Sequence, residues 1–192
     1  MLKKEIYGFI FIILIINTIQ KQTKQIFEST KIKKMNIKNR LFRASVTDNC
    51  FYQNGHISED AYKYYEQLSK EGTSIIFTGA VLISGGTIFE KIGVFKIDKD
   101  DNIEEFKKLT NLVHKNNANI IMQIAHIGAQ TTLNEKIIYA PSKILFPGSK
   151  KESIEMSKND ILRIENDFVN AAIRAKKVDL MELKFMLLIF IY

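Results

Sequence analysis

Two short runs of apolar residues constrain this chain most. Ser74-Ile-Ile-Phe-Thr78 and Asn119-Ile-Ile-Met-Gln-Ile124 are apolar at consecutive positions rather than alternate ones. A strand of that kind hides both of its faces, as strands of a parallel sheet covered by helices do. Each run is preceded by a segment with helical spacing. Ser58 reads as an N-cap, followed by acidic Glu59 and Asp60, and Tyr62, Tyr65 and Leu68 share one face before Gly72. Asp101-Asn102 opens a second helix, with Phe106, Leu109 and Val113 on one side and Asn116-Asn117 at its end. Ser157 caps a third, long helix carrying Ile161, Ile164, Phe168, Ala171, Ala172 and Ala175. Strand–helix alternation of this kind predicts an α/β fold with a parallel sheet. Ile32–Ser45 alternates loosely and is expected to supply two short strands, and Asn54-Gly55 is a tight-turn dipeptide. A polar excursion with Pro141 and Pro147 lies between the second run and the last helix.

Length limits the architecture. A complete (β/α)8 barrel needs about 250 residues, and this chain has 192. The single cysteine, Cys50, excludes an intrachain disulfide, argues against a cysteine-built metal centre, and fits a reducing compartment. The net charge of +7 is concentrated: residues 1–40 hold nine Lys/Arg against two Glu, so the other 152 residues are neutral overall. A nucleic-acid-binding domain spreads its basic residues over a folded face, so nucleic acid is not expected as a partner. Lys3 and Lys4 followed by the apolar stretch Ile6–Ile16 look like the start of a signal peptide. The stretch is short for a membrane span, which needs about 20 residues, and no small-x-small cleavage site follows. Residues 1–25 are therefore read as an anchor, a signal peptide or an upstream extension, and any membrane association would run through residues 6–16.

From Ile26 to Lys177 the chain resembles the Old Yellow Enzyme family of FMN-dependent oxidoreductases, in particular its NADH:flavin oxidoreductase and 2,4-dienoyl-CoA reductase branch. The fragments that carry the resemblance occur in order. Phe27, Lys31-Ile32 and Met35-Asn-Ile-Lys-Asn-Arg40 resemble F…K-I…L-K-N-R; Gly72-Thr-Ser-Ile-Ile-Phe-Thr-Gly79 resembles G-x-G-L-I-I-T-G. Phe106–His114 matches the helix before the third strand, and Gln123-Ile-Ala-His-Ile-Gly128 resembles Q-L-A-H-x-G. Ala140-Pro-Ser142 and the pattern from Met156 to Lys176 continue it.

The resemblance implies a TIM barrel, of which about the first half is present, with FMN at the C-terminal ends of the strands and NAD(P)H as hydride donor. Ala44, Ser45, Val46 and Thr47 would line the flavin after the first strand. Gly79 would end the second strand where a side chain would crowd the isoalloxazine. Gln123 would end the third, with an amide suited to the flavin pyrimidine edge. Each also admits a plain structural reading: a polar residue after a strand, a glycine for packing, a satisfied buried amide. His126 is open to a place near the site or a structural hydrogen bond. His114, Asp48 and Cys50 receive no catalytic role. The implied substrate is a small molecule, an activated alkene or related acceptor. The expected location is cytoplasmic, with membrane association through the leader as the alternative.

Two departures stand out. Ala129 occupies the position where the family usually has Arg after A-H-x-G. The family's fourth strand reads F-D-G-V-E-I-H-A-A-H, whereas this chain runs Val178-Asp-Leu-Met-Glu-Leu-Lys-Phe-Met-Leu-Leu-Ile-Phe-Ile-Tyr192, with no histidine. Read one base out of register from the Val178–Asp179 junction, the codons permit G-F-D-G-V-E-I-H-A-A-H-x-Y-I. A one-base deletion near the Lys177 codon is therefore expected to have scrambled residues 178–192; the competing reading is that the tail is a genuine apolar strand. On the first reading the chain is a non-catalytic piece of such an enzyme, lacking the substrate-binding histidines and the late-barrel phosphate site.

Overall fold

The protein is described by a computed structural model, which covers residues 18–19, 25–46, 52–53, 56–84, 94–130, 137–149, 151–178 and 182–185, with backbone alone at 52–53, 130 and 182–185. The apolar leader Ile6–Ile16, Thr47 and the Asn54-Gly55 dipeptide lie outside the described residues. Among the described residues no helix is long and apolar enough to cross a membrane.

A first hairpin, β1 (Thr30–Ile32) against β2 (Met35–Ile37), is antiparallel. It is followed by β3 (Phe42–Arg43), a second hairpin of β4 (Tyr52–Gln53) and β5 (His56–Ile57), helix α1 (Glu59–Lys70) and β6 (Ile75–Leu82). Then come β7 (Phe95–Lys96), α2 (Asn102–His114), β8 (Asn119–Ala125), β9 (Tyr139–Ala140), β10 (Ile154–Glu155), α3 (Lys158–Lys177) and β11 (Glu182–Phe185). The central sheet runs β11-β8-β6-β3, every pair parallel, with β7 beside the upper part of β6. Strands adjacent in the sheet follow one another in the chain with a helix between, which is the winding of a β/α barrel.

The three strands expected from sequence are present and parallel, with different ends. The first stops at Arg43 rather than Ser45, while β6 and β8 run on to Leu82 and Ala125. The two short strands expected within Ile32–Ser45 are β2 and β3, and Thr30–Ile32, ahead of them, folds back on Met35–Ile37 as a further strand.

Helix boundaries follow local chemistry. The Ser58 side chain accepts the Ala61 N–H at 3.2 Å, and Ser157 and Asp160 form a reciprocal capping box that starts α3. Asp101 makes no side-chain capping bond; instead the Asn102 side chain accepts the Lys99 N–H at 3.2 Å, inside the first turn. Past the end of α1, Gly72 adopts φ +107°, a conformation that a side chain resists.

Alternation along β8 sorts the core into two sides. Ile120, Met122 and Ile124 belong to the large cluster that includes Tyr65, Phe106, Leu109 and Phe168 from the three helices. Ile121, on the opposite face, packs with Ile75 and with Met35 and Ile37 of the first hairpin. Ala125, on that same face nearer the strand's C-terminal end, packs with Leu82 and Val94. The first hairpin thus plugs the lower half of the inner face, where the strands begin.

The space around Gly72 is open, with nothing within 4 Å of an added Cβ. Gly72→Ala should therefore carry only the backbone cost, a loss of about 1–2 kcal/mol. A chemical-denaturation midpoint that does not fall would show that this turn relaxes freely.

Candidate functional site

The upper half of the inner face is where Gln123 lies, with Gly79 near it on the neighbouring strand. Gln123 shares the face of Ile121 and Ala125, between the plug below and the Leu82–Val94–Ala125 cluster above. It is buried, at 4% exposure, and among the described residues its Oε1 has no hydrogen-bond partner. A buried amide oxygen left unpaired is uncommon and costs free energy, so this atom is set up to accept a hydrogen from something placed on the sheet.

Across the sheet, Gln123 pairs with Ala80 of β6, next to Gly79. The register slips here. Phe77 pairs with Ile121 and Ala80 with Gln123, so three steps on β6 match two on β8, and β6 carries one extra residue. The slip changes which face each residue of β6 takes. Ile75 and Phe77 face the plug below the bulge, and Ala80 and Leu82 face the same side above it. Gly79, buried in the bulge, sits at the turning point.

On the other side of β6, Ser45 follows β3 and donates from Oγ to the Thr78 carbonyl at 2.7 Å. Arg43 donates to the Phe77 carbonyl at 2.5 Å, and its guanidinium lies over the Tyr64 and Tyr65 rings at 5.7 and 5.5 Å. These contacts hold the end of β3 against β6 beyond the last ladder pair. Ala44 and Val46 are exposed. Ser45, Gly79 and Gln123 therefore lie in a row across three neighbouring strands at the C-terminal ends. Thr47 lies outside the described residues.

His126 stands one residue beyond β8 and is half-buried. It lines a cleft of about 110 Å³ with Tyr139, Met156, Glu165 and Phe168, between the excursion after β8 and α3. Burial holds its imidazole below the ordinary value of 6.5; the Asp167 carboxylate pulls it back up and Arg163 adds to the depression. Ala129, where the family usually has Arg, is buried at 2% exposure and offers no charge to the site. Among the described residues no group of three or more His, Cys, Asp or Glu could hold a metal.

Sequence reasoning missed Thr78, which the structure ties to Ser45, Gly79 and Gln123 together. The available signal was a hydroxyl inside an otherwise apolar strand, which must find a partner.

A half-wound β/α barrel with an orphaned amide oxygen at its C-terminal edge belongs to a broad class of barrel proteins whose sites lie on that edge. The comparisons narrow it. Residues 25–183 match the NADH:flavin oxidoreductase / NADH oxidase family, so the chain belongs to that family of FMN-dependent oxidoreductases. A NADPH dehydrogenase of Bacillus velezensis is 32% identical over 168 residues, covering 83% of this chain and 48% of that protein. A NADH oxidase of Thermoanaerobacter brockii is 28% identical over 79% of this chain and 24% of its own length. Among solved structures, Old Yellow Enzyme from a Pichia species superposes with a TM-score of 0.72 at 22% identity, over 84% of this chain and 45% of that one. The fold is thus that of a TIM barrel in its first half, and the chain spans about half the length of the NADPH dehydrogenases it matches. FMN is the cofactor of the family, with NAD(P)H as electron donor.

The depressed value of His126 has a stability consequence whose sign is fixed. As pH falls through 6.5 the unfolded chain takes up the proton first, so folding stability drops until the folded-state imidazole is also protonated. An NMR titration should give a midpoint below 6.5, and His126→Gln should flatten that part of the stability–pH curve. A midpoint at or above 6.5 would contradict the burial argument.

Proposed function

We propose that the protein encoded here descends from an FMN-dependent NAD(P)H oxidoreductase of the ene-reductase type, acting on activated alkenes or related acceptors. The observation that carries this reading is the unpaired, buried Gln123 Oε1 in line with Gly79 and Ser45. An amide offers an acceptor and two donors, the complement of a flavin pyrimidine edge. Beside that amide the inner face carries only the small Ala80, next to Gly79, which would leave room for a flat ring, and Ala44, Val46 and Thr47 would border it. When bound, FMN would supply the redox chemistry linking NAD(P)H to the acceptor. The chain's own residues would hold and orient the ring, and the apolar inner face would exclude water beneath it.

The 192-residue chain on its own is proposed to be a weak flavin binder without turnover. No residue of the tail supplies the histidines that the family uses toward the acceptor oxygen, and the phosphate-binding loops of the family belong to its second half. Here β11 pairs in register with β8, Glu182 opposite Ile121. That pairing suits a chain continuing into a fourth barrel strand and is compatible with either reading of residues 178–192. At the other edge of the sheet Phe42 and Val46 are 45% and 59% exposed, apolar surface that a closed barrel would cover and that favours self-association.

The test is direct. The 192-residue chain should purify colourless and leave NAD(P)H unoxidised in the presence of an enone. A version with one base restored near the Lys177 codon and its downstream frame should purify yellow and oxidise NAD(P)H. A yellow, active 192-residue chain would refute the assignment of residues 178–192 as scrambled.

The leader is proposed to be dispensable. The Gln25 carbonyl accepts a hydrogen bond from Arg40, which ties residue 25 to the segment leading into β3. Deleting residues 2–24 should leave the thermal midpoint unchanged, and a clear fall in that midpoint would show that Ile6–Ile16 packs on the sheet.

A further inference from the structure

We propose that Thr78 is the positioning residue of the flavin seat: its hydroxyl sets Gln123 relative to Gly79, and its backbone carbonyl holds Ser45. The inference rests on the flavin reading above and goes beyond it, because it assigns the geometry of that seat to a hydroxyl that would not itself touch the cofactor.

An extra residue in one strand breaks the ladder and leaves a backbone group without its partner. Here the group at risk is the N–H of Gln123, opposite the inserted residue. Thr78 Oγ1 accepts that N–H at 3.0 Å, and gives its own hydrogen to the Gly79 carbonyl at 2.8 Å. A hydroxyl has one hydrogen to donate and lone pairs to accept with, so both interactions are satisfied at once. The side chain is fully buried, at 0% exposure. The Thr78 carbonyl in turn accepts from Ser45 Oγ. Three strands are therefore joined through one residue, at the level where the flavin-facing ends begin.

The bulge has a consequence for the seat. With an unbroken register, Gly79 itself would stand opposite Gln123, and residues above it would keep the phase set by Ile75 and Phe77. With the bulge, Ala80 stands opposite Gln123 and the phase turns over. Ala80 and Leu82, rather than Val81, then face the inner side, while Val81 joins the helix-side core. A small residue thus lies beside Gln123 on the inner face. Removing the hydroxyl would leave a buried N–H unpaired, and the strands could recover the lost bond only by sliding toward the unbulged register.

Three substitutions separate positioning from bulk. Thr78→Val keeps shape and loses the hydroxyl, Thr78→Ser keeps the hydroxyl, and Thr78→Ala loses both. In the 192-residue chain, Gln123 backbone amide exchange should be roughly tenfold faster or more in Thr78→Val than in the unsubstituted chain, with Thr78→Ser near the original rate. A titration with FMN at millimolar concentration, followed by the Gln123 side-chain amide resonances, should show binding weakened roughly tenfold in Thr78→Val and restored in Thr78→Ser. Should Thr78→Val not fold, Ser against Ala at this position reads the same two quantities.

Faster exchange with unchanged FMN affinity would overturn the inference, leaving Thr78 as a purely structural tie. Unchanged exchange would overturn it too, since the hydroxyl would then not be holding Gln123. No response of the Gln123 side chain to FMN in the unsubstituted chain would overturn the flavin reading itself, and this inference with it. Agreement of both readouts, with rescue by serine, is the expected result.

Discussion

The parallel pairing of β6 with β8 is the contact on which the other elements depend. Both strands are apolar at consecutive positions, so neither can face water on either side. The helix side is filled by Tyr65, Phe106, Leu109 and Phe168. Each buried side chain of that size contributes about 1.5–3 kcal/mol relative to exposure. The other side is filled only in part. Met35 and Ile37 of the first hairpin cover Ile75 and Ile121 at the strand starts, and the upper half is left to smaller residues and to Gln123. A site arises there because the plug ends, and the bulge at Thr78–Gly79 then decides which side chains look into the space.

The lower end is fixed by polar contacts of a different kind. Lys38 donates to the Ser69 carbonyl at 2.8 Å and the Asn116 carbonyl at 2.9 Å, one at the end of each of the first two helices. The negative ends of two helix dipoles meet a single ammonium there. Asn39 donates to the Gly72 carbonyl at 2.6 Å and accepts the Leu41 N–H at 2.9 Å. The Lys-Asn-Arg segment is thereby a clasp between the plug, both helix ends and the start of β3. It sits at the end of the sheet away from the site, where barrel proteins keep stabilising contacts.

The elements with strong local signals were legible in the sequence. Ser58 and Ser157 announced helix starts that the structure confirms, and the apolar runs announced β6 and β8. Ser45, Gly79 and Gln123 were legible only through the family resemblance, since spacing alone does not tell that three residues dozens of positions apart share one row. Less was visible of features created by pairing. Thr30–Ile32 is a strand because Met35–Ile37 lies beside it, and its own pattern is too short to show a period. The bulge in β6 exists only relative to β8, so the role of Thr78 could not be read from β6 alone. Arg43 likewise looks like a charge interrupting a strand until the Phe77 carbonyl and two tyrosine rings are placed around it.

The function proposed for this chain requires that the upper inner face of the β6–β8 pair seat a flavin ring. A crystal structure of the chain grown with saturating FMN tests it most directly. The predicted result places the ring on that face, with its pyrimidine edge within hydrogen-bonding distance of the Gln123 amide and its plane beside Gly79. A ring bound on the helix side of the sheet, or in the cleft beside His126 with Gln123 Oε1 still unpaired, would contradict it.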